Sequence, residues 1–159
     1  MQETSQPSNA RQSLVRYAAL ILGGRPYFSG KLKEKLQARS AKLGLLDTDS
    51  LIDQIISELK ASRFLDDEYL AQAFVRRELG KGYGPKIIQI KLIRLGVDHH
   101  TIQEALAIEA SLPKQVEAIK HYLGKLNRFE KRTKINKLFQ RGFNSQAVLR
   151  VFDSKLLYD

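Results

Sequence analysis

Apolar residues return along this chain with a helical period. Leu51, Ile52, Ile55, Ile56 and Leu59 follow the i, i+3, i+4, i+7 template, with Asp53, Glu58 and Lys60 opposite them. Leu70, Phe74 and Val75 begin another face, and Ile88, Leu92 and Leu95 another. Three more are Ile102, Ala105 and Leu106; Val116, Ile119 and Leu123; and Ile135, Leu138 and Phe139. No stretch alternates strictly over enough residues to argue a half-buried strand. The polar residues 1–10 lack this period and are expected to form a mobile tail.

Boundary signals agree with short helices. Asp66, Asp98 and Asn144 stand at N-cap positions, with Asp67 and Glu68 favourable in the turn that follows Asp66. Pro85 and Pro113 suit first turns, where a missing N–H costs nothing. Gly44, Gly96 and Gly142 each follow an apolar run and are expected to stop helices. The fold class is all-α.

The spacing of these signals repeats. Residues 25–36 align with 81–92 at a shift of 56, and those align with 127–138 at a further shift of 46. Tyr27, Tyr83 and Phe129 coincide, as do Leu36, Leu92 and Leu138. Gly96-Val97-Asp98 continues in register with Gly142-Phe143-Asn144, whereas Gly44 falls four residues late, about one extra helical turn. The expected architecture is a tandem array of three-helix repeats, elongated and curved. Its expected divisions are the tail at 1–10 and repeats at 11–63, 64–110 and 111–159.

Composition narrows the chemistry. The 159 residues include no Cys and no Trp, which excludes disulfide scaffolds, Cys-based metal sites and thiol catalysis. No apolar run approaches the roughly 20 residues that span a bilayer, and a soluble, cytoplasmic chain is expected. Gly80-Lys-Gly-Tyr-Gly-Pro85 lacks the phosphate-loop spacing and a preceding strand, so it is a tight interhelical turn. Adjacent Asp66 and Asp67 do not converge for acid–base work. Asp47 and Asp49 lack the rest of a calcium loop, and His99, His100 and His121 are too few for zinc. No catalytic constellation, metal site or cofactor is expected, and the chain is not expected to be an enzyme.

Charge supplies the positive signal. The net charge is +10, gathered into three clusters. Arg25, Lys31, Lys33, Lys35, Arg39 and Lys42 face one acid, Glu34, within 25–42. Arg76, Arg77, Lys81, Lys86, Lys91 and Arg94 face only Glu78 within 76–94. Between 114 and 141, Lys114, Lys120, Lys125, Arg128, Lys131, Arg132, Lys134, Lys137 and Arg141 outnumber Glu117 and Glu130. Acids concentrate instead between 47 and 68. Any one cluster is an ordinary solvated helix face. Three clusters in register make a basic stripe suited to a long polyanion, with affinity but no sequence readout.

The stretch Phe64-Leu-Asp-Asp-Glu-Tyr-Leu-Ala-Gln-Ala-Phe-Val75, then Gly80-Lys-Gly-Tyr-Gly-Pro85 and Lys91-Leu92, resembles the bacterial RecX family of recombination regulators. The likeness extends over roughly residues 16–153. Its motif positions are Phe64, Leu65, Asp66, Asp67, Phe74, Val75, Gly82, Gly84, Pro85, Leu92 and Gly96. Departures are Leu70 for a usual aromatic, Glu78 for a common arginine, and Lys31 and Lys91 where glutamates often stand. The resemblance implies a cytoplasmic, monomeric protein of recombination, DNA repair and the SOS response that binds RecA–DNA filaments and modulates RecA, usually by inhibiting it. Single- or double-stranded DNA is its implied second partner. Carried onto the basic clusters, it makes Arg25, Lys31, Lys33, Lys35, Arg76, Arg77, Lys81, Lys86, Lys91, Arg94, Lys131, Arg132, Lys134 and Lys137 the candidate contacts. The competing readings are a sequence-nonspecific DNA-binding protein acting without RecA and a repeat scaffold for an acidic protein.

Overall fold

The computed structural model of the protein describes residues 7–153, which form nine α-helices, one 3-10 turn and no strand. The helices are α1 (Pro7–Leu22), α2 (Ser29–Lys42), α3 (Asp49–Ala61), α4 (Asp67–Gly80), α5 (Pro85–Arg94), α6 (His99–Glu109), α7 (Leu112–Leu123), α8 (Lys131–Gln140) and α9 (Ser145–Asp153). The middle helices of the three repeats start at 29, 85 and 131, in the register of the sequence alignment. α2 has 14 residues where α5 and α8 have 10, the extra turn that delays Gly44. Leu36, Leu92 and Leu138 are each fully buried, and each such leucine contributes roughly 2 kcal/mol of burial free energy.

The chain divides into two compact units, the first ending at Leu70 and the second beginning at Ala71. In the first, α1, α2 and α3 pack together around Leu14, Ala18, Leu32, Ile52, Ile55 and Ile56, with Leu65 closing the core. In the second, α5 packs on α6, and α9 packs on α7 and α8. Its buried side chains include Ile88, Ile102, Ala105, Ile119, Phe143, Val148 and Val151. The unit boundary falls inside α4, so the second unit holds most of one repeat and all the described part of the next.

The caps form as their chemistry requires. Asp66 accepts from the Tyr69 N–H at 2.9 Å, Asp98 from Thr101 at 3.0 Å, and Asn144 from Gln146 at 2.8 Å. Gly44, Gly96 and Gly142 close their helices at φ 65°, 75° and 83°, backbone that a side chain would strain. Two local expectations need correction, at the tail and at Phe139. Residues 1–6 of the expected tail lie outside the described residues, but 7–10 are the first turn of α1, which Pro7 opens with its φ already set for a helix. Of the motif residues after the left-handed turn at Arg63 (φ 58°), Phe64 is 68% exposed and Leu65 is buried. Phe139 is 46% exposed, because Leu138 takes the buried position of α8.

Candidate polyanion interface

The candidate cations separate into two chemical groups. The first is held by acids of the chain itself. Glu78 lies near the end of α4 with its side chain 5% exposed, and three cations converge on it. Lys81 reaches Oε1 at 2.7 Å, Lys91 reaches Oε2 at 2.6 Å, and Arg77 Nε lies 3.3 Å from Oε1. Burial pushes the Glu78 carboxyl up, but the hydrogen bonds from Lys81 and Lys91, the Lys91 charge and the Arg77 hydrogen bond outweigh it and hold it at about 2. Lys91 also sits 3.5 Å from the Tyr83 ring centroid.

Glu109 is the second buried acid. It accepts from Arg76 and, at 2.8 Å, from Lys114. The Lys114 hydrogen bond lowers its carboxyl, burial opposes this, and the Arg76 hydrogen bond lowers it further. Outside these centres Lys31 pairs with Glu34 at 2.7 Å and Lys33 with Asp53 at 2.6 Å, both solvent-exposed and of small energetic weight. The hydrogen bond from Lys33 to Asp53 raises the Lys33 pKa.

The second group makes no ion pair among the described residues. Lys35 on α2, Lys86 and Arg94 on α5, and Lys131, Arg132, Lys134 and Lys137 on α8 belong to it, with Arg25 ahead of α2. Arg25 lies 5.3 Å from the Tyr27 centroid. Lys137 and Arg128 lie 4.7 and 5.2 Å from that of Phe129, and Lys131 lies 5.8 Å from that of Phe152. Lys86 borders a groove shared with Gln89, Gln103, Gln115, Phe139 and Asn144. The structure therefore brings Arg77, Lys81 and Lys91 together on a carboxylate, and leaves α8 as the helix richest in uncompensated charge.

The motif residues build the support for this surface. Gly84 sits where a Cβ would lie 2.3 Å from the Gly142 carbonyl carbon and the Phe143 nitrogen, so only glycine permits this approach. The Gly84 N–H donates to the Arg141 carbonyl at 2.7 Å, and the Lys86 N–H to the Gly142 carbonyl at 3.2 Å. The start of α5 thus spends its free donors on the free acceptors beyond α8. A Cβ on Gly82 (φ 82°) would meet the Tyr122 ring at 2.6 Å. Asp67 is buried and accepts from both the N–H and the hydroxyl of Ser29, capping α2 as well as favouring its own helix start. Pro85 opens α5, Val75 is fully buried, and Phe74 carries Arg77 4.9 Å from its centroid.

Sequence reasoning counted Arg141 in the third basic cluster but left it out of the candidate contacts and missed its role as the most connected cation of the unit. Arg141 donates to the Lys81 carbonyl at 3.2 Å and the Gly82 carbonyl at 3.4 Å. It also lies 4.7 Å from the Tyr83 centroid and 4.3 Å from that of Tyr122. Nothing in its local spacing announces this, because its partners lie 19 to 60 residues away. Glu109 was likewise silent, and Glu78 stood out only as the lone acid of its cluster, with its i, i+3 spacing to Lys81 a partial signal of the pairing. Among the described residues, no group of three or more His, Asp or Glu is placed to hold a metal, and no helix is long and apolar enough to cross a membrane.

Comparison with known proteins matches residues 66–106 to the family model described as RecX, second three-helix domain. A regulatory protein RecX of Geobacillus thermodenitrificans is 30% identical over 110 residues, covering 69% of this chain and 40% of the relative. The chain thus spans about 40% of that relative's length. A regulatory protein RecX of Salmonella typhimurium is 28% identical over 163 residues, covering 93% of this chain and 98% of the relative. The crystal structure of RecX from Lactobacillus salivarius shares the fold, with a TM-score of 0.75 at 20% identity over 94% of this chain and 99% of that one.

Proposed function

Because the chain belongs to the RecX family, we propose that it is a regulatory protein that binds RecA–DNA filaments and restrains RecA. The observation that carries this reading is the surplus of cations left over after internal pairing. Lys86 and Arg94 on α5 and Lys131, Arg132, Lys134 and Lys137 on α8 make no ion pair among the described residues, and so remain for a polyanionic partner. A filament presents phosphates and protein surface at a regular repeat, and a chain of similar units engages such a target through several weak contacts at once. The effective concentration of each further contact then supplies avidity that no single site has. The chain acts by occupying the filament and does no covalent chemistry.

The test is pelleting of the full chain with RecA filaments on single-stranded DNA, together with RecA ATPase activity as the chain is added. Co-pelleting with falling ATPase supports the reading, and absence from the pellet with unaltered ATPase refutes it. A second reading, nonspecific DNA binding without RecA, is favoured by the cation-rich α8. DNA binding across a salt series, with and without RecA, separates the two. Strong binding that RecA does not improve favours the second.

A further inference from the structure

A lysine recurs at an equivalent register in the three repeats, lies over the equivalent aromatic ring in the second and third, and is paired with an acid only in the second. Lys35, Lys91 and Lys137 each immediately precede the buried leucine of the repeat, eight residues beyond Tyr27, Tyr83 and Phe129. Lys91 and Lys137 lie over their own rings, at 3.5 and 4.7 Å from the centroids. The position of Glu78 is filled by Leu22 in the first repeat and Gly124 in the third. Neither supplies a charge.

Glu78 accordingly shows how this arrangement receives an anion. Its two oxygens accept from Lys81 and Lys91 at 2.7 and 2.6 Å, the geometry of a charge-assisted anion contact. In the third repeat the place of Lys91 is held by Lys137 and that of Lys81 by Asn127, with exposed Arg128 beside it over the Phe129 ring. Lys134 stands one turn before Lys137, on the same flank of α8. None of these cations has a carboxylate among the described residues. Phe129 is half-buried and already engaged by two cations, so it holds charge in place and leaves no free platform for a base.

We propose that Glu78 is a built-in stand-in for a phosphate that silences the anion site of the middle repeat, while in the third repeat Lys137, the equivalent of Lys91, together with Arg128 and Lys134 takes the phosphodiester backbone of a nucleic acid. This rests on the function proposed above only in taking nucleic acid as the polyanion. The site reads charge and spacing, with no contact to base edges. The carboxylate sets how many phosphates the chain engages, because removing it returns two lysines to the surface.

The experiment uses the full chain and a short dye-labelled single strand of mixed sequence, without RecA, with anisotropy read across a salt series. Substituting Arg128, Lys134 and Lys137 together by Gln should weaken binding about tenfold or more and flatten the log–log salt slope by roughly two. A charge-matched variant with Arg16, Lys42 and Arg63 replaced by Gln should stay within about twofold of the parent, since bulk charge acts weakly compared with direct contact. Glu78→Gln should bind about threefold or more tighter, with a slope steeper by about one. That gain is a result misfolding cannot imitate, and far-UV circular dichroism checks helicity in every variant. Unchanged affinity in the α8 variant, an equal loss in the charge-matched variant, or no gain from Glu78→Gln overturns the proposal. Any of these leaves the RecA role to be judged by filament pelleting.

Discussion

Glu78 concentrates much of what distinguishes the middle repeat. Its ordinary pKa of 4.5 is lowered to about 2 in the folded chain, so its stabilisation is complete above pH 4.5 and is lost as pH falls through 2. The shift corresponds to roughly 3 kcal/mol as an upper figure. Glu78→Gln should therefore destabilise the chain by about 1–3 kcal/mol at neutral pH and flatten the fall of stability with acid, as read from urea unfolding at about pH 7 and about pH 3. Asp67 is a second such residue. Asp67→Ala leaves the start of α2 without its carboxylate and should cost about 1–3 kcal/mol, with Asp67→Asn recovering part of it in the same assay. Gly84→Ala drives a methyl into backbone and should lower the melting temperature by about 8 °C or more.

Helices here are joined end to end as much as face to face. α5 begins where α8 finishes, and Arg141 ties the end of α4 to the same junction through two carbonyls and two aromatic rings. Arg141→Ala should cost about 1–2 kcal/mol in thermal or urea unfolding. Arg141→Lys should recover little, because an ammonium lacks the flat fork that stacks and donates in two directions. The repeat was legible in sequence because burial and helix starts depend on local period: Leu36, Leu92 and Leu138 are fully buried, and their helices begin in register. The junction was not legible. Gly82 and Gly84 looked like turn residues, and the neighbours that make glycine necessary come from α7 and the segment after α8.

For the molecule as a whole, the compact unit and the sequence repeat are different divisions. The second unit runs from Ala71 and joins two repeats through Gly84, Gly142 and Arg141. A chain ending at Glu109 would leave α5 without the carbonyls that its first N–H groups need, and should lose cooperative unfolding of the remaining α4–α6 segment by circular dichroism. Charge substitution is for that reason the cleaner probe of function. Reversing Arg76 or Lys91 would oppose buried Glu109 or Glu78 and damage the fold itself. On the proposed RecA role, reversing Lys86, Lys134 and Lys137 together should remove any lowering of RecA ATPase on single-stranded DNA, with helicity retained by circular dichroism.

The amino-acid order alone was sufficient for the helical class, the repeat register, the caps at Asp66, Asp98 and Asn144, and the excess of basic residues. Each of these depends on neighbours within a few turns, where spacing and side-chain type act directly. Which cations stay available was settled by folding. Arg76, Arg77, Lys81 and Lys91 read in sequence like Lys134 and Lys137, yet the first four meet buried carboxylates and the last two do not. Coulomb attraction depends on distance and on how far water is excluded, and both are properties of the packed chain.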